Sequence, residues 1–118
     1  MFLCVDVNVF HEDQYVPVGQ PVNIKCHASD TSKSVFWDHR HSVRQDVSNV
    51  YDGGLIGDYQ QRCTIDISTY DLTIFHVDIN DTGEYWCIEN EGFGTKHVTQ
   101  LFVLCATGAL PMLLLDAD

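Results

Sequence analysis

Cysteine is the residue type in this chain that most clearly carries chemistry. The 118 residues include five cysteines, namely Cys4, Cys26, Cys63, Cys87 and Cys105. So many thiols in a short chain are typical of oxidising compartments, where disulfides form and persist. Because the count is odd, at least one thiol must stay free or pair with another molecule. The composition therefore predicts an extracellular chain that is stabilised by at least one disulfide.

The other residue types that often perform chemistry form no recognisable catalytic pattern. The histidines are scattered, and no serine or cysteine lies in a nucleophile-elbow motif such as Gly-x-Ser-x-Gly. The glycine-rich segment 53–57 lacks the lysine and the helix of a phosphate-binding loop, so it is interpreted as a turn. His39 and His41 would lie on the same side of one predicted strand, but no third metal ligand stands at a suitable spacing. We therefore predict no enzymatic activity, no cofactor and no metal.

Length and charge limit the class of protein and its partners. A chain of 118 residues with 45% hydrophobic residues is expected to fold as one globular domain. Seventeen acidic against six basic side chains give a formal net charge of −11. Such a surface repels nucleic-acid phosphates and anionic bilayers, so neither is an expected partner. A basic protein patch or a divalent cation would be attracted.

The apolar pattern predicts short β-strands separated by turns, with no long helical repeat. Val22, Ile24 and Cys26 share one side of a predicted strand and are expected to point inward. Trp37 is expected to point inward from another strand, with its two neighbours outward. Strands are predicted over residues 3–9, 34–39 and 96–103, and turns over residues 17–20 and 78–82.

Cys26, Trp37 and the Asp-x-Gly-x-Tyr-x-Cys run at residues 81–87 form the most specific pattern in the chain. Over about residues 5–103 the chain resembles the immunoglobulin superfamily. The resemblance implies an all-β Greek-key sandwich of the variable type (V-set), in which Cys26 of strand B is bonded to Cys87 of strand F. Trp37 of strand C would pack against that disulfide, and Tyr85 would form a tyrosine corner.

The interval between Trp37 and Arg62 is too long for one hairpin. It leaves room for the added strands C′ and C″, which favours the variable type of roughly nine strands over the seven-stranded type. Leu72 and Ile74 are expected to point into the core from strand E.

Two features are expected at the end of the sandwich away from the ligand-binding loops. Arg62 stands where similar variable domains carry an arginine that pairs with the aspartate of the Asp-x-Gly motif, here Asp81. The alternative is a solvated arginine that contributes little, since exposed ion pairs are worth about 0–1 kcal/mol. Residues 80–82, Asn-Asp-Thr, form an N-glycosylation acceptor in a turn, so Asn80 is a candidate glycan site.

The remaining cysteines are expected to differ in chemistry. Cys63 replaces an inward phenylalanine of strand D, so it is predicted to be a buried and inert thiol. Cys105 follows strand G and is the candidate for an interchain disulfide, with an unpaired thiol as the alternative. A bond between Cys4 and Cys105 is not expected, because they would lie at opposite ends of the sandwich.

The resemblance also implies a binding surface, since the sheet with strands C, C′, F and G commonly contacts a partner in variable domains. Phe36 and Trp86 point outward from strands C and F and are expected to form an aromatic pair on that face. The alternative is that the C′ strand or the F–G loop covers them. The residues predicted to contact a partner are Phe36, Asp38, Trp86, Glu89 and Phe93.

Residues 84–89, Glu-Tyr-Trp-Cys-Ile-Glu, and the later Val-x-x-Leu-x-Val strand resemble polymeric immunoglobulin receptor domains and single-domain leukocyte receptors. Residues 93–96 resemble the joining segment of antigen receptors and of the novel immune-type receptors of bony fish. The implied function is extracellular recognition of a protein or lipid ligand by a cell-surface immune receptor. The alternatives are a homophilic adhesion or coreceptor domain that dimerises through the same face, and a secreted immune effector.

Acidic residues of the predicted loop edge give one further hypothesis, a Ca²⁺ site for a lipid headgroup, as in some similar receptors. Solvated charges that aid solubility are the favoured interpretation. The residues concerned are Asp52, Asp58, Glu89 and Glu91.

The two ends of the sequence suggest a mature ectodomain taken from a longer receptor. Residues 1–5 lack the basic start of a secretory signal, and Asp6 interrupts the apolar stretch. The apolar residues 109–115 are far fewer than the ~20 that span a bilayer, so a membrane anchor is expected outside the chain. We assign residues 1–105 to the domain and residues 106–118 to a stalk or tail.

Overall fold

Two β-sheets pack face to face in the computed structural model, which describes residues 9–42 and 44–105, without the side chains of residues 9 and 10. The larger sheet has the strand order β1-β8-β7-β3-β4, and the smaller sheet has the order β2-β6-β5. The strands are β1 (Val9–Pro17), β2 (Val22–Ile24), β3 (Phe36–His41), β4 (Val47–Asp52), β5 (Cys63–Ile65), β6 (Leu72–Ile74), β7 (Gly83–Ile88) and β8 (Lys96–Leu104). The short helical segments are α1 (Tyr59–Arg62), α2 (Glu89–Gly92) and a 3-10 turn (Ile79–Asp81). The all-β sandwich expected from the sequence is confirmed.

Strand β1 joins the larger sheet along its edge. It pairs in parallel with β8 from Val9 opposite Lys96 to Pro17 opposite Leu104, whereas the other strand pairs are antiparallel. The chain then reverses at Gly19, whose φ of +88° suits glycine, in the turn expected over residues 17–20. The strand expected over residues 3–9 lies outside the described residues except for its last position.

The expected C″ strand is not formed in the described part of the chain, which contains eight strands. After β4, Gly53 and Gly57 adopt φ values of +71° and +60°, which turn the chain back rather than extend it. The Ile56 amide donates to the Val50 carbonyl at 2.9 Å, and a single bridge joins Tyr51 to Leu55. Strand β4 therefore remains the edge of the larger sheet.

The core lies between the sheets around one disulfide. Cys26 and Cys87 are bonded, with their Cα atoms 5.5 Å apart, and both are fully buried. Trp37 belongs to the same buried cluster and donates its indole N–H to the Tyr70 carbonyl at 2.8 Å. Leu72 and Ile74 are also fully buried, and each such side chain contributes about 1.5–3 kcal/mol.

Asp81 organises the end of the sandwich that precedes β7. Two nitrogens of Arg62 donate to its carboxylate, at 3.0 and 2.5 Å, and the Tyr85 hydroxyl donates to its carbonyl at 2.7 Å. Asp81 is only 3% exposed, so the Arg62 charge offsets a carboxylate that would otherwise be buried without a counterion. The structure thus contains both the ion pair and the tyrosine corner that the sequence suggested.

Candidate recognition surface

The larger sheet has one side that points away from the smaller sheet. Tyr85 and Cys87 of β7 point into the core, so Trp86 between them points to the other side. Trp86 lies opposite Asp38 of β3 and Val98 of β8, and directly opposite residues of a sheet share one side. We call this side the outer face. It is defined here by Phe36, Asp38, Arg40, Glu84, Trp86 and Val98.

The Trp86 ring lies at the centre of the outer face and is contacted by two charged side chains of the same domain. The Arg40 guanidinium lies 3.9 Å from the centroid of the ring, a cation–π contact, and the indole N–H donates to Glu84 at 2.9 Å. Trp86 and Glu84 are partly buried, and Arg40 is exposed. Arg40 is not among the binding residues predicted from the sequence, although its position three residues after Trp37 already placed it on the outward side of β3.

Phe36 is covered in part by the connection between β7 and β8. A Cβ atom built on Gly92 would lie only 2.8 Å from the Phe36 ring, so the backbone of that connection packs directly over the aromatic ring. For Phe36 the alternative of coverage within the domain therefore applies, and its role in partner binding stays a prediction.

Asp38, two residues after Phe36 on β3, is partly buried. Burial raises the pKa of its carboxyl, and the nearby charge of Arg40 offsets this only in part.

The connection itself, residues 89–95, is the F–G loop. It is held by backbone hydrogen bonds from Gly94 to Glu89 at 2.8 Å and from Glu91 to Ser34 at 2.8 Å. Asn90 and Glu91 have φ values of +53° and +55°, a region that costs residues other than glycine about 1–3 kcal/mol each. Next to them Phe93 is 88% exposed. The loop thus presents a phenylalanine to solvent from a backbone of fixed and unusual conformation.

Glu89 does not belong to the exposed surface, and the prediction that it contacts a partner is wrong. The residue is only 5% exposed, and its carboxylate accepts from His97 Nε2 at 2.6 Å and from the Ser29 hydroxyl at 3.1 Å. Burial raises the pKa of Glu89, but the hydrogen bonds from His97, Ser29 and Asp30 outweigh it, so the pKa lies below its ordinary value. Glu89 therefore links the F–G loop to the segment between β2 and β3.

A cavity of about 480 Å³ opens beside this buried pair, lined by His27, Ser29, Glu89, Thr95 and His97. Among residues 9–42 and 44–105, no three histidine, cysteine or acidic side chains are grouped so that they could hold a metal ion. The Ca²⁺ hypothesis therefore finds no support, since Glu89 is bonded inside the fold. His39 and His41 point into the sandwich, with ring centroids 3.8 Å apart.

Comparison with known proteins decides the family. A family model described as immunoglobulin domain matches residues 6–90. The chain belongs to this family. Comparison with curated protein sequences gives no match.

Similar folds are found among solved structures. One of them contains parallel homodimers of the extracellular domains of the voltage-gated sodium channel beta4 subunit, described as explaining its role in cell-cell adhesion. It superposes with a TM-score of 0.62 at 13% identity and covers 90% of this chain and 98% of that chain. At this identity the likeness concerns the fold. Within the described residues of this immunoglobulin domain, no helix is long and apolar enough to cross a membrane.

The cysteines outside the disulfide occupy different environments in this immunoglobulin domain. Cys63 is buried and free, whereas Cys105 is exposed and free. Burial raises the pKa of the Cys63 thiol from 9.0 to about 11, which removes most of the reactive thiolate at neutral pH. Cys4 lies outside the described residues. Cys63 therefore has the environment of the inert thiol that the sequence suggested.

We expect native Cys63 to resist thiol reagents. In a Cys4→Ser, Cys105→Ser double variant, it should react with a maleimide about 100-fold more slowly than a free thiol, because its pKa is two units higher. Mass spectrometry of labelled protein at pH 7.5 measures the rate. Addition of urea should restore fast labelling, and rapid labelling of the folded variant would contradict the prediction.

Proposed function

We propose that this immunoglobulin domain is an extracellular recognition domain of a cell-surface immune receptor, which binds a protein partner through the F–G loop and the outer face. The observation that carries the proposal is Phe93. A phenylalanine that is 88% exposed gains nothing from its own fold, yet the loop that presents it is held in a costly backbone conformation. Such rigid aromatic groups are typical anchors of binding interfaces, because little conformational entropy is lost when they are buried.

Charge favours a protein with a basic patch over an anionic lipid as the partner. Asp38 and Glu84 lie on the outer face, Glu91 lies in the F–G loop, and the chain carries a net charge of −11. An anionic bilayer would be repelled at physiological ionic strength, whereas a basic protein surface would be steered toward the face. Strand β4, in the position of C′, supports the variable type, although the described chain lacks C″.

Phe93→Ala is expected to weaken partner binding at least tenfold, because truncation of a central aromatic anchor costs about 1.4 kcal/mol or more. The oxidised domain would first be screened against cell-surface glycoproteins, immunoglobulins and phospholipid vesicles, and affinities would then be measured by surface plasmon resonance. The matched control is Phe75→Ala, which removes a phenylalanine that is 42% exposed and directly follows β6 of the smaller sheet. Equal affinities of the two variants would contradict the proposal, and binding to anionic vesicles alone would favour a lipid ligand.

Self-association through the outer face is the second candidate function. It is favoured by the mixed charges around Trp86, where Arg40 lies beside Glu84 and could pair with acidic groups of a second copy. The sodium channel beta4 ectodomain, which has a similar fold, forms parallel homodimers. Sedimentation would show a dimer that Trp86→Ala dissociates and Phe75→Ala does not. Cys105 is the thiol that we propose for an interchain disulfide in such a dimer.

A secreted effector without an anchor is the third interpretation of the same domain. Its binding surface would be the same, so binding data do not separate it from a receptor. Sequencing of the full-length transcript separates the two, because a membrane-spanning segment after residue 118 would exclude a secreted effector.

A further inference from the structure

A polar groove of about 590 Å³ lies at the end of the sandwich opposite the F–G loop. Strand β4, helix α1 and the 3-10 turn before β7 form its walls. Its lining includes Arg44, Asn49, Ile56, Asp58, Tyr59 and Asn80. The volume lies in the range that holds small ligands, and the mixture of polar and apolar side chains suits a ligand with both characters. The recognition surface makes no use of this groove.

Asn80 stands in the wall of the groove with its side chain available. It is exposed, and its backbone amide donates to Asp78 at 3.3 Å within the 3-10 turn. Its side-chain carboxamide makes no hydrogen bond to any residue in the described ranges. Residues 80–82 read Asn-Asp-Thr, the acceptor sequence for N-linked glycans. The one acceptor of this kind in the chain therefore opens onto the groove.

We propose that Asn80 carries an N-linked glycan and that the first sugar of this glycan occupies the groove. The proposal rests on the extracellular function proposed above, because the donor is found in the secretory pathway. In the reaction Asn80 Nδ2 forms a bond to C1 of an N-acetylglucosamine, and the bond from C1 to the diphosphate of a lipid-linked oligosaccharide breaks. The lipid diphosphate leaves, and the amide nitrogen loses one proton.

The folded acceptor sequence indicates that transfer precedes folding. Asp81 is 3% exposed and holds Arg62, and the Thr82 hydroxyl accepts from the Val103 amide at 3.2 Å. An enzyme that must bind residues 80–82 in an extended form would have to break these contacts. The sugar is therefore attached to the unfolded chain and is brought to the groove when the 3-10 turn forms.

The groove offers both kinds of contact that a sugar ring requires. Ile56, which is 38% exposed, and the ring of Tyr59 supply an apolar surface for the C–H side of the sugar. Asp58 and Asn49 supply acceptors and a donor for its hydroxyl and acetamido groups, and both are exposed. Covering Ile56 would also remove an exposed apolar side chain from water.

The first test is attachment. The chain would be secreted from cultured animal cells behind an added leader, and its mass would be measured before and after peptide N-glycosidase treatment. We expect a loss of mass for the wild type and none for Asn80→Gln. Secreted, disulfide-bonded wild type without a glycan would overturn the inference and leave the proposed recognition function standing. A wild-type chain that is neither secreted nor disulfide-bonded would count against both the glycan and the proposed recognition function.

The second test is occupancy of the groove. An endoglycosidase would trim the glycan to a single N-acetylglucosamine, and hydrogen exchange of residues 56–61 would be compared with that of Asn80→Gln. We expect at least fivefold slower exchange in the trimmed protein, and Ile56→Ala should reduce this difference. Exchange rates that are the same with and without the sugar would show a glycan that extends into solvent, which overturns the occupancy.

Discussion

Gly83→Ala is expected to lower the free energy of unfolding by about 4 kcal/mol. Gly83 has a φ of +143°, which side chains rarely allow, and a Cβ atom there would lie 2.3 Å from the carbonyl oxygen of Arg40. It would also lie 2.9 Å from His39 Nε2. Both atoms belong to β3, a central strand that cannot shift cheaply, so backbone strain of about 1–3 kcal/mol adds to an overpacking cost of similar size.

Urea unfolding of the oxidised domain, followed by tryptophan fluorescence, measures this loss. Gly54→Ala is the matched control, because a methyl group on Gly54 would have no neighbouring atom within 4 Å and the residue has no positive φ. We expect that control to change stability by less than about 0.5 kcal/mol, as surface substitutions usually do. A loss below about 1 kcal/mol for Gly83→Ala would show that the approach of β7 to β3 is looser than described.

Acidification is expected to destabilise the fold through His39, by about 2 kcal/mol at pH 5 and about 3 kcal/mol at pH 4. The His39 ring is fully buried, stacks on Tyr85 at a centroid distance of 4.2 Å and is hydrogen-bonded to the Thr82 carbonyl at 3.2 Å. Burial, with a smaller contribution from the neighbouring His41, lowers the pKa of His39 from 6.5 to about 4.

Whether acid stabilises or destabilises the fold depends on which state, folded or unfolded, binds the proton at His39. Between pH 6.5 and 4 the unfolded chain binds a proton at His39 that the folded chain does not, so stability is lost as the pH falls. Urea unfolding of the wild type and of His39→Gln at pH 7, 6 and 5 isolates this contribution as the difference between their slopes. His11→Gln, at an exposed position, serves as the control. Parallel pH profiles for the wild type and His39→Gln would contradict the assignment.

The resemblance to the immunoglobulin superfamily, which a few residues at fixed spacing carry, was enough to predict the covalent and ionic framework. A disulfide between the sheets, a buried tryptophan and an Asp-x-Gly turn each need particular residues, so Cys26, Cys87, Trp37 and Asp81 were identified from the sequence. The absence of a C″ strand from the described part of the chain was not predicted, because a long interval shows only that there is room for a strand. The two glycines with positive φ in that interval direct the chain into turns instead.

The details of the recognition surface were harder to predict, because they depend on contacts between distant residues. Alternation beyond Cys87 places Glu89 inward, yet a glutamate near a loop is usually exposed. Its burial depends on His97 and Ser29, which lie on other segments. The cation–π contact between Arg40 and Trp86 likewise requires the register of β3 against β7. Alternation along a strand indicates the side of the sheet, but not which groups meet there.

The parallel pairing of β1 with β8 forms one row of hydrogen bonds, here called the seam, which affects how the domain responds to force. Val9 and Leu104 lie at opposite ends of it, so a pulling force applied to the two termini draws the strands past each other lengthwise. All the hydrogen bonds of the seam then bear the load at the same time and do not break one after another. A domain pulled at its two ends would therefore resist extension through this row of hydrogen bonds.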